Sequence, residues 1–388
     1  MNDRILTTHV GSLPRPERVV TQLFAQDSGL NYDAGEFDRI MAAEVANVVA
    51  RQAGAHVDVV SDGEMSKISY ATYIRHRLTG FELGEMPRAV PRDLDDFPDF
   101  KERLAKLGAT PKYHRPICTG PIAVKDLSGL HKDIANLQAA CAAAAAPGQP
   151  PLRAFMNSAS PGVIAVFQPN KYYASTELYL QALADAMATE YEAIVAAGLD
   201  LQIDAPDLAM GRHIKFRDVD DNEFLRNANL QVEALNHALR NVPAERTRMH
   251  VCWGNYEGPH HYDIGLEKIL DVVLKAKPAT VLFEGANPRH AHEWEVWAKA
   301  GKEGRIPGNK ILAPGVLDTV NNFIEHPRLV AQRLLTYANI VGRERVMAAS
   351  DCGFGTFAGF GAIHPPICYA KLASMAEGAE MASRELWK

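Results

Sequence analysis

A histidine and a cysteine stand two residues apart in the apolar segment RMHVCWGN, residues 248–255. Residues i and i+2 of a β-strand face the same side, so a strand here would place the side chains of His250 and Cys252 together. An imidazole and a thiolate are ligands that select zinc over magnesium or calcium. The competing interpretation is core packing, because unpaired cysteine is among the most buried residue types.

Two further side chains with metal-binding chemistry stand at the ends of later apolar segments. Glu284 lies in TVLFEGA (280–286) and Cys352 lies in RVMAASDCG (345–353). If these segments are parallel strands of one barrel, their ends meet at one rim and the four side chains can converge. The chain has five cysteines, an odd and sparse set that argues against a disulfide framework and favours a reducing, cytoplasmic setting.

Apolar segments that resemble buried strands alternate with helical patterns along the chain. The segments cover residues 5–12, 57–64, 152–162, 199–206, 248–255, 280–286, 311–318 and 345–353. Apolar spacing and end residues predict helices at 34–53, 176–197 and 327–341. This alternation predicts one α/β domain over residues 1–388, a closed (β/α)8 TIM barrel. An open doubly wound sheet is the rival, and it is disfavoured because no Gly-x-Gly-x-x-Gly turn follows the first strand.

The longest gap lies between the second and third segments and predicts an insertion at about residues 66–150. It contains another apolar run, RPICTGPI (115–122), which is a ninth candidate for eight barrel positions. A polar, proline-rich stretch precedes this run, so we assign it to the insertion.

The overall composition excludes several classes of function. The net charge is −6, and lysine and arginine are scattered, which argues against a nucleic-acid or anionic-membrane partner. We find no apolar stretch of about 18 residues to span a bilayer and no secretory signal at the N-terminus. These features predict a cytoplasmic protein that acts on small molecules, and they leave room for a homo-oligomer.

Several motifs resemble cobalamin-independent methionine synthases, specifically their C-terminal catalytic barrel. TTHVGSLPRP, SDGE and LQIDAP are similar to the family's first, second and fourth strands, and HVC, FEG and DCG follow the order of its zinc ligands. The resemblance covers nearly the whole chain. It implies that Zn²⁺ is the cofactor and activates a thiol for attack on carbon. The implied metal ligands are His250, Cys252, Glu284 and Cys352.

The same resemblance implies a binding site for the thiol substrate. In methionine synthases, acids at the positions of Glu64 and Asp204 hold the amino group of homocysteine, and the backbone of Gly11 and Ser12 would hold its carboxylate. The competing interpretation is that the two acids cap loops or pair with arginine.

Two departures from methionine synthases shape the predicted reaction. The folate-dependent enzymes carry an N-terminal half that this chain lacks, and Val320 stands where the family's Asp-x-His motif has a proton-donating histidine. Asp318 of that motif remains, and His290 and His292 in PRHAHEW are further candidates for handling a proton. HVCWGNYEGPHH and FEGANPRHAHEWEVW are most similar, within the superfamily, to epoxyalkane–coenzyme M transferase.

We therefore predict a zinc-dependent S-alkyltransferase, in which a small-molecule thiolate attacks an alkyl donor, either a methyl donor or an epoxide. One alternative is a short methionine synthase that methylates homocysteine. Another is a non-catalytic barrel that binds zinc or a thiol. Barrels like uroporphyrinogen decarboxylase are a further rival, but they would not explain the four candidate ligands.

Overall fold

The parallel strands of this protein form one eight-stranded sheet, in the order β1-β10-β9-β8-β7-β6-β5-β2. The structure is a computed structural model that describes residues 3–30, 32–84, 90–106 and 115–388. The strands are β1 (Leu6–Thr7), β2 (Val59–Val60), β3 (Phe81–Gly84), β4 (Arg115–Cys118), β5 (Arg153–Ala159), β6 (Asp200–Asp204), β7 (Thr247–Val251), β8 (Thr280–Phe283), β9 (Ile311–Leu317) and β10 (Met347–Ser350). Each of the eight predicted segments overlaps one of the eight parallel strands, and β7 begins one residue before its segment.

Side chains join the two ends of the sheet, β1 and β2. Thr8 Oγ1, directly after β1, donates to the carbonyl of Val59 in β2 at 3.0 Å. Thr7 N donates to the Asp58 carboxylate at 2.8 Å. Short polar side chains thus join β1 and β2, the two edge strands of the sheet. The predicted (β/α)8 barrel is confirmed.

The helices follow the strands in alternation. They are α1 (Glu17–Ser28), α2 (Ala34–Gly54), α3 (Pro98–Lys106), α4 (Ser128–Ala144), α5 (Pro161–Phe167), α6 (Thr176–Ala196), α7 (Asp221–Ala238), α8 (Leu266–Lys275), α9 (Trp294–Lys302), α10 (Pro327–Val341) and α11 (Pro365–Leu386). Residues next to the helices fix two of the predicted helix ends. Ser175 Oγ accepts from Leu178 N at the start of α6, and Gly342 follows α10 with a φ of 92°.

The segment between β2 and β5 holds the predicted insertion. Its strands β3 and β4 pair with each other antiparallel, apart from the barrel sheet, so RPICTGPI contributes no strand to the eight-stranded sheet. The last helix of the predicted range, α4, packs against α2 in the outer ring of helices. Residues 85–89 and 107–114 of this range lie outside the described residues. Among the helices that are described, none is long and apolar enough to cross a membrane.

An arginine crosses the interior of the barrel from β7 to β1. Arg248 is 5% exposed, and its guanidinium carbon lies 3.9 Å from the centre of the Phe155 ring. It donates to Thr8 Oγ1 at 2.8 Å and to the carbonyl of His9 at 2.7 Å. Because side chains alternate along a strand, His250 faces the same side of β7 as Arg248. The strand therefore aims His250 at the barrel's interior side.

Candidate metal centre

Three of the four predicted metal ligands lie together at the carboxyl ends of two strands. The ligand atoms of His250, Cys252 and Cys352 all lie within 4.8 Å of one another, and all three side chains are buried. His250 is the fourth residue of β7, Cys252 directly follows that strand, and Cys352 stands two residues after β10. The two sulfur atoms are 3.6 Å apart, far beyond the roughly 2.05 Å of a disulfide, so both are free thiols.

The surroundings of His250 fit a metal ligand. Its side chain is buried, and neither ring nitrogen has a partner with hydrogen-bond geometry among the described residues, although the backbone of Leu282 lies near enough to raise its pKa. Leaving a buried polar group unpaired costs about 1–3 kcal/mol, so the position calls for a partner of another kind. Burial, with the charge of nearby Arg248, lowers the pKa of His250 to about 3. The ring is therefore neutral at physiological pH, the form that binds metals.

The two cysteines also fit a bound cation. The hydrogen bond with Cys352 and burial raise the pKa of Cys252 well above its ordinary value. Without a nearby positive charge, two thiols so close in a buried site do not both ionise. A zinc ion would supply that charge, and an imidazole with two thiolates is a typical zinc donor set.

Glu284 stands beside this group of three rather than within it. It directly follows β8 and is 7% exposed. Its Oε1 accepts from Trp253 N at 2.8 Å, and its Oε2 accepts from Asn287 Nδ2 at 2.7 Å. Burial and the neighbouring Cys252 raise the pKa of Glu284 well above its ordinary value. The carboxylate is thus close enough to Cys252 to interact with it while its own oxygens have other partners.

Asp351 fixes the Glu284 loop to the Cys352 loop. Its Oδ1 accepts from the backbone N–H groups of Gly285 and Ala286, both at 2.8 Å. Its Oδ2 accepts from Asn287 N at 2.8 Å and from Asn287 Nδ2 at 3.0 Å. Asn287 therefore bridges Asp351 and Glu284. This network sets the spacing between two of the strand ends that carry candidate ligands.

The predicted amine-binding acids lie in a second buried cluster. Glu64 has a φ of 56°, and Arg15 holds its carbonyl through Nε at 3.1 Å and Nη2 at 2.9 Å. Asp204 accepts from Asn157 Nδ2 at 3.0 Å. Glu64 Oε2 is buried and has no hydrogen-bond partner within the described chain, and its ion-pair contact with Arg15 Nη2 is long, at 4.0 Å. This oxygen can therefore still accept a hydrogen bond from a ligand.

The charges in this cluster favour a cationic ligand group. Burial, with Asp204 next in size, raises the pKa of Glu64, and burial also raises that of Asp204. Lys67 and Arg15 offset only part of this effect on Glu64. A substrate ammonium group beside the two acids would stabilise both as carboxylates.

The predicted carboxylate-binding turn has one backbone donor to spare. Gly11 N donates to His9 Nδ1 at 3.1 Å, so that N–H is already used. Ser12 is 2% exposed, and its backbone N–H has no partner among the described residues. Of the two predicted backbone donors, the N–H of Ser12 is the one that a ligand can use.

The three residues predicted to handle a proton are in different environments. His290 is buried; its Nε2 lies 3.0 Å from Asp263 Oδ2 and its Nδ1 lies 2.9 Å from Glu293 Oε2. Although burial opposes it, these two carboxylates raise the pKa of His290 to about 10. His292 is exposed. A donor role for either histidine stays a prediction, and His290 would have to release a carboxylate to perform it.

Asp318 stabilises the turn after β9. Its Oδ1 accepts from Val320 N at 2.8 Å, and its Oδ2 accepts from Asn321 Nδ2 at 2.5 Å. Its own N–H donates to Glu325 Oε1 at 2.9 Å. These bonds show how the Asp is held, and its predicted part in proton handling stays a prediction.

The sequence analysis missed a carboxylate surrounded by histidines. Asp263 Oδ2 lies 3.0 Å from His260 Nδ1 and 3.0 Å from His290 Nε2, and its Oδ1 lies 2.9 Å from His213 Nδ1. The His290 ring also packs on Trp253, with ring centres 4.3 Å apart. These residues come from three separate loops, so no local motif points to the cluster. For Asp351, in contrast, the adjacency to Cys352 in DCG was an available signal.

Comparisons with known proteins agree with the predicted superfamily. Residues 5–88 match the family model described as the cobalamin-independent synthase catalytic domain. Methionine synthase from Saccharolobus solfataricus is 25% identical over 384 residues, which cover 98% of this chain and 95% of the relative. Methionine synthase from Thermococcus kodakarensis is 23% identical, with 98% and 94% covered.

A solved structure gives the same fold. The B12-independent methionine synthase of a Shewanella species, in complex with selenomethionine, matches with a TM-score of 0.72 and 18% identity. The match covers 99% of both chains. At this identity the likeness establishes the barrel architecture only.

These matches correct the predicted reaction. The leading prediction, an S-alkyltransferase resembling epoxyalkane–coenzyme M transferase, is wrong as the favoured function, because the curated relatives are methionine synthases. The expected difference in length does not separate this chain from two of those relatives, since the match covers 95% and 94% of their length. The alternative reading is the better supported one. The family match and the full-length similarities together show that this chain is similar to cobalamin-independent methionine synthases.

Proposed function

We propose that this protein is a zinc-dependent methyltransferase that methylates the thiol of homocysteine to give methionine. The observation that carries the proposal is the pair of unpaired ring nitrogens on buried His250, beside two thiols whose sulfurs are 3.6 Å apart. The full-length similarity to methionine synthases supports the choice of substrate.

The residues that would hold zinc are His250, Cys252 and Cys352, with Glu284 as the fourth candidate. A bound zinc ion would keep a substrate thiol, with an ordinary pKa of about 8.5, deprotonated and nucleophilic at neutral pH. Glu284 is the hardest of the four donors, and Trp253 N and Asn287 Nδ2 already offer its oxygens other partners. We infer that it gives way to the substrate sulfur.

The second cluster would orient the rest of homocysteine. The buried acids Glu64 and Asp204 suit its ammonium group, because Glu64 Oε2 accepts no hydrogen bond and burial raises the pKa of both acids despite the nearby Lys67. The unused N–H of Ser12 suits its carboxylate. Fixing the ammonium and carboxylate groups, which share the α-carbon, would leave the sulfur at the other end free to react, and such positioning lowers the entropic barrier to displacement.

The reaction is an in-line transfer. The sulfur–carbon bond forms as the bond between the methyl group and its donor breaks, and the electron pair of that bond leaves with the donor. Val320 offers no proton to the leaving group. A donor whose leaving group needs a proton would have to obtain it from elsewhere.

Methionine formation tests the proposal directly. The zinc-loaded protein is incubated with homocysteine and, in parallel, methyltetrahydrofolate with a polyglutamyl tail, S-methylmethionine or methylcobalamin, and methionine is measured by mass spectrometry. We expect methionine with at least one donor, and its loss after chelation and its return with added zinc. One bound zinc per chain without methionine from any donor would favour a non-catalytic zinc-binding barrel.

A further inference from the structure

Hydrogen bonds hold three successive backbone carbonyls in the turn after β1. Asn157 and Gln202 both donate to the carbonyl of Val10. Ser61 Oγ donates to the carbonyl of Gly11 at 3.1 Å, and Phe354 N donates to the carbonyl of Ser12 at 2.8 Å. These bonds leave the orientation of each peptide in the turn little freedom.

Gly11 is required at the centre of this turn. Its φ is 141°, a conformation that favours glycine, and a Cβ on it would lie 2.2 Å from Asn157 Oδ1. Its N–H is bonded to His9, as described above, so Ser12 provides the N–H left for a ligand.

The protonation of His9 follows from the geometry of Gln52 in α2. Gln52 Nε2 lies 3.0 Å from the carbonyl of Val48 and 2.8 Å from the carbonyl of Ser61, so it donates to both. Gln52 Oε1 accepts from Ser61 N at 2.9 Å. His9 Nε2, 2.7 Å from the same Oε1, must therefore carry the proton. His9 Nδ1 is then unprotonated and can accept the N–H of Gly11 at 3.1 Å.

The burial of His9 keeps it in this form. The residue is fully buried, and burial lowers its pKa to about 4 despite the hydrogen bond to Gln52 Oε1, which raises it. The charge of Arg248, which donates to the carbonyl of His9, lowers it further. The ring stays neutral throughout the physiological range. It is removed from the candidate metal ligands in sequence and belongs to the other cluster of the site.

We propose that His9 is a positioning residue for the substrate carboxylate: its unprotonated Nδ1 holds the N–H of Gly11 and so turns the free N–H of Ser12 towards that carboxylate. The inference rests on the proposed function, because it takes the substrate to be an amino-acid thiol. It adds a role for a residue that does not itself contact the substrate.

Two variants separate the two ring nitrogens. The amide oxygen of asparagine lies close to the position of histidine Nδ1, so His9→Asn keeps an acceptor for Gly11. The longer side chain of His9→Gln reaches the position of Nε2, so it keeps the link to Gln52 and loses that acceptor. Each variant retains a polar side chain in the same buried place, which makes the two a matched pair.

Binding of two thiols to the zinc-loaded protein by calorimetry provides the readout. Homocysteine and 3-aminopropane-1-thiol share the thiol and the amine, and only homocysteine has the carboxylate. We expect the wild type to bind homocysteine at least about tenfold more tightly than 3-aminopropane-1-thiol. His9→Gln should lose most of that ratio with little change for 3-aminopropane-1-thiol, and His9→Asn should keep the ratio within about threefold.

The possible failures are distinguishable. Equal weakening of both thiols by His9→Gln, or an unchanged ratio, would overturn the role of His9 and leave the proposed function in place. Failure of the wild type to bind homocysteine at all would overturn the proposed function and this inference with it. If the variants do not fold, neutron diffraction on the wild type still decides, because a proton on His9 Nδ1 would contradict the inference.

Discussion

His250 and His290 are two buried histidines with opposite surroundings. His250, on β7, has no partner for either ring nitrogen among the described residues, whereas both nitrogens of His290 lie about 3 Å from carboxylates. A neutral ring without partners is ready for a metal, while a ring between two carboxylates is a cation that already has its counter-ions. The same residue type is therefore free to bind a metal in one place and is held between loop carboxylates in the other.

The largest expected effect comes from a substitution in the candidate metal centre around His250. Cys352→Ser should reduce bound zinc from about one per chain to near zero, because an alcohol replaces one of two thiolates. Methionine formation should fall by more than about a thousandfold. Cys141→Ser, a buried cysteine of α4, is the matched control and should retain zinc. Zinc retained by Cys352→Ser would remove this residue from the centre.

The next largest effect is expected in the cluster of histidines around Asp263. Asp263→Asn removes the charge that faces His213, His260 and His290, and we expect it to lower the free energy of unfolding by about 3 kcal/mol. Asp185→Asn is the control, because Asp185 forms an exposed pair with His237 and should change stability by less than about 1 kcal/mol. Urea unfolding measures both. Equal losses in the two variants would contradict the distinction between buried and exposed pairs.

The cationic state of His290 predicts a dependence of stability on pH. Its pKa is raised to about 10 in the folded chain against about 6.5 when unfolded, so its contribution is complete below pH 6.5 and is lost as the pH rises towards 10. The free energy of unfolding should fall by about 2 kcal/mol between pH 7 and 9. Asp263, Glu293 and Glu284 are the charged groups that set this pKa. The same fall in His290→Gln would assign it to another group.

A smaller effect is expected at Asn287, which links the two regions. Asn287→Ala removes the amide that bridges Glu284 and Asp351. We expect zinc affinity, measured in a chelator competition, to fall by roughly tenfold. Asn241, whose exposed amide donates to Glu192 at 2.9 Å, gives the matched control Asn241→Ala. An unchanged zinc affinity in Asn287→Ala would mean that Glu284 does not depend on this bridge.

The smallest effect is expected at His292, which is exposed. His292→Ala should change the rate of methionine formation by less than about twofold, as for most surface substitutions. A loss of a hundredfold or more, typical of a removed proton donor, would identify His292 as catalytic after all.

The features that could be predicted from the sequence depend on short-range patterns of residues. The eight strands were recognisable because each lies in a short apolar run, and His250 and Cys252 share a side because of the two-residue repeat of a strand. Glu284 and Cys352 could be placed at the same rim once the barrel was assumed.

The parts that were missed depend on long-range contacts. Asp263 meets His213 and His290 from positions far apart in the chain, and Asn287 reaches Asp351 across two loops. The unpaired N–H of Ser12 becomes visible only when every neighbouring bond is known. Such properties arise from the packing of loops, to which the periodicity of strands and helices gives no guide.

The most direct test of the central claim is X-ray absorption spectroscopy at the zinc edge of the purified protein. We expect about one zinc per chain with two sulfur neighbours at roughly 2.3 Å and one imidazole nitrogen at roughly 2.0 Å. Cys352→Ser should bind little zinc, and any residual signal should contain at most one sulfur neighbour. A wild-type zinc shell of oxygen and nitrogen alone would contradict a metal centre built from His250, Cys252 and Cys352.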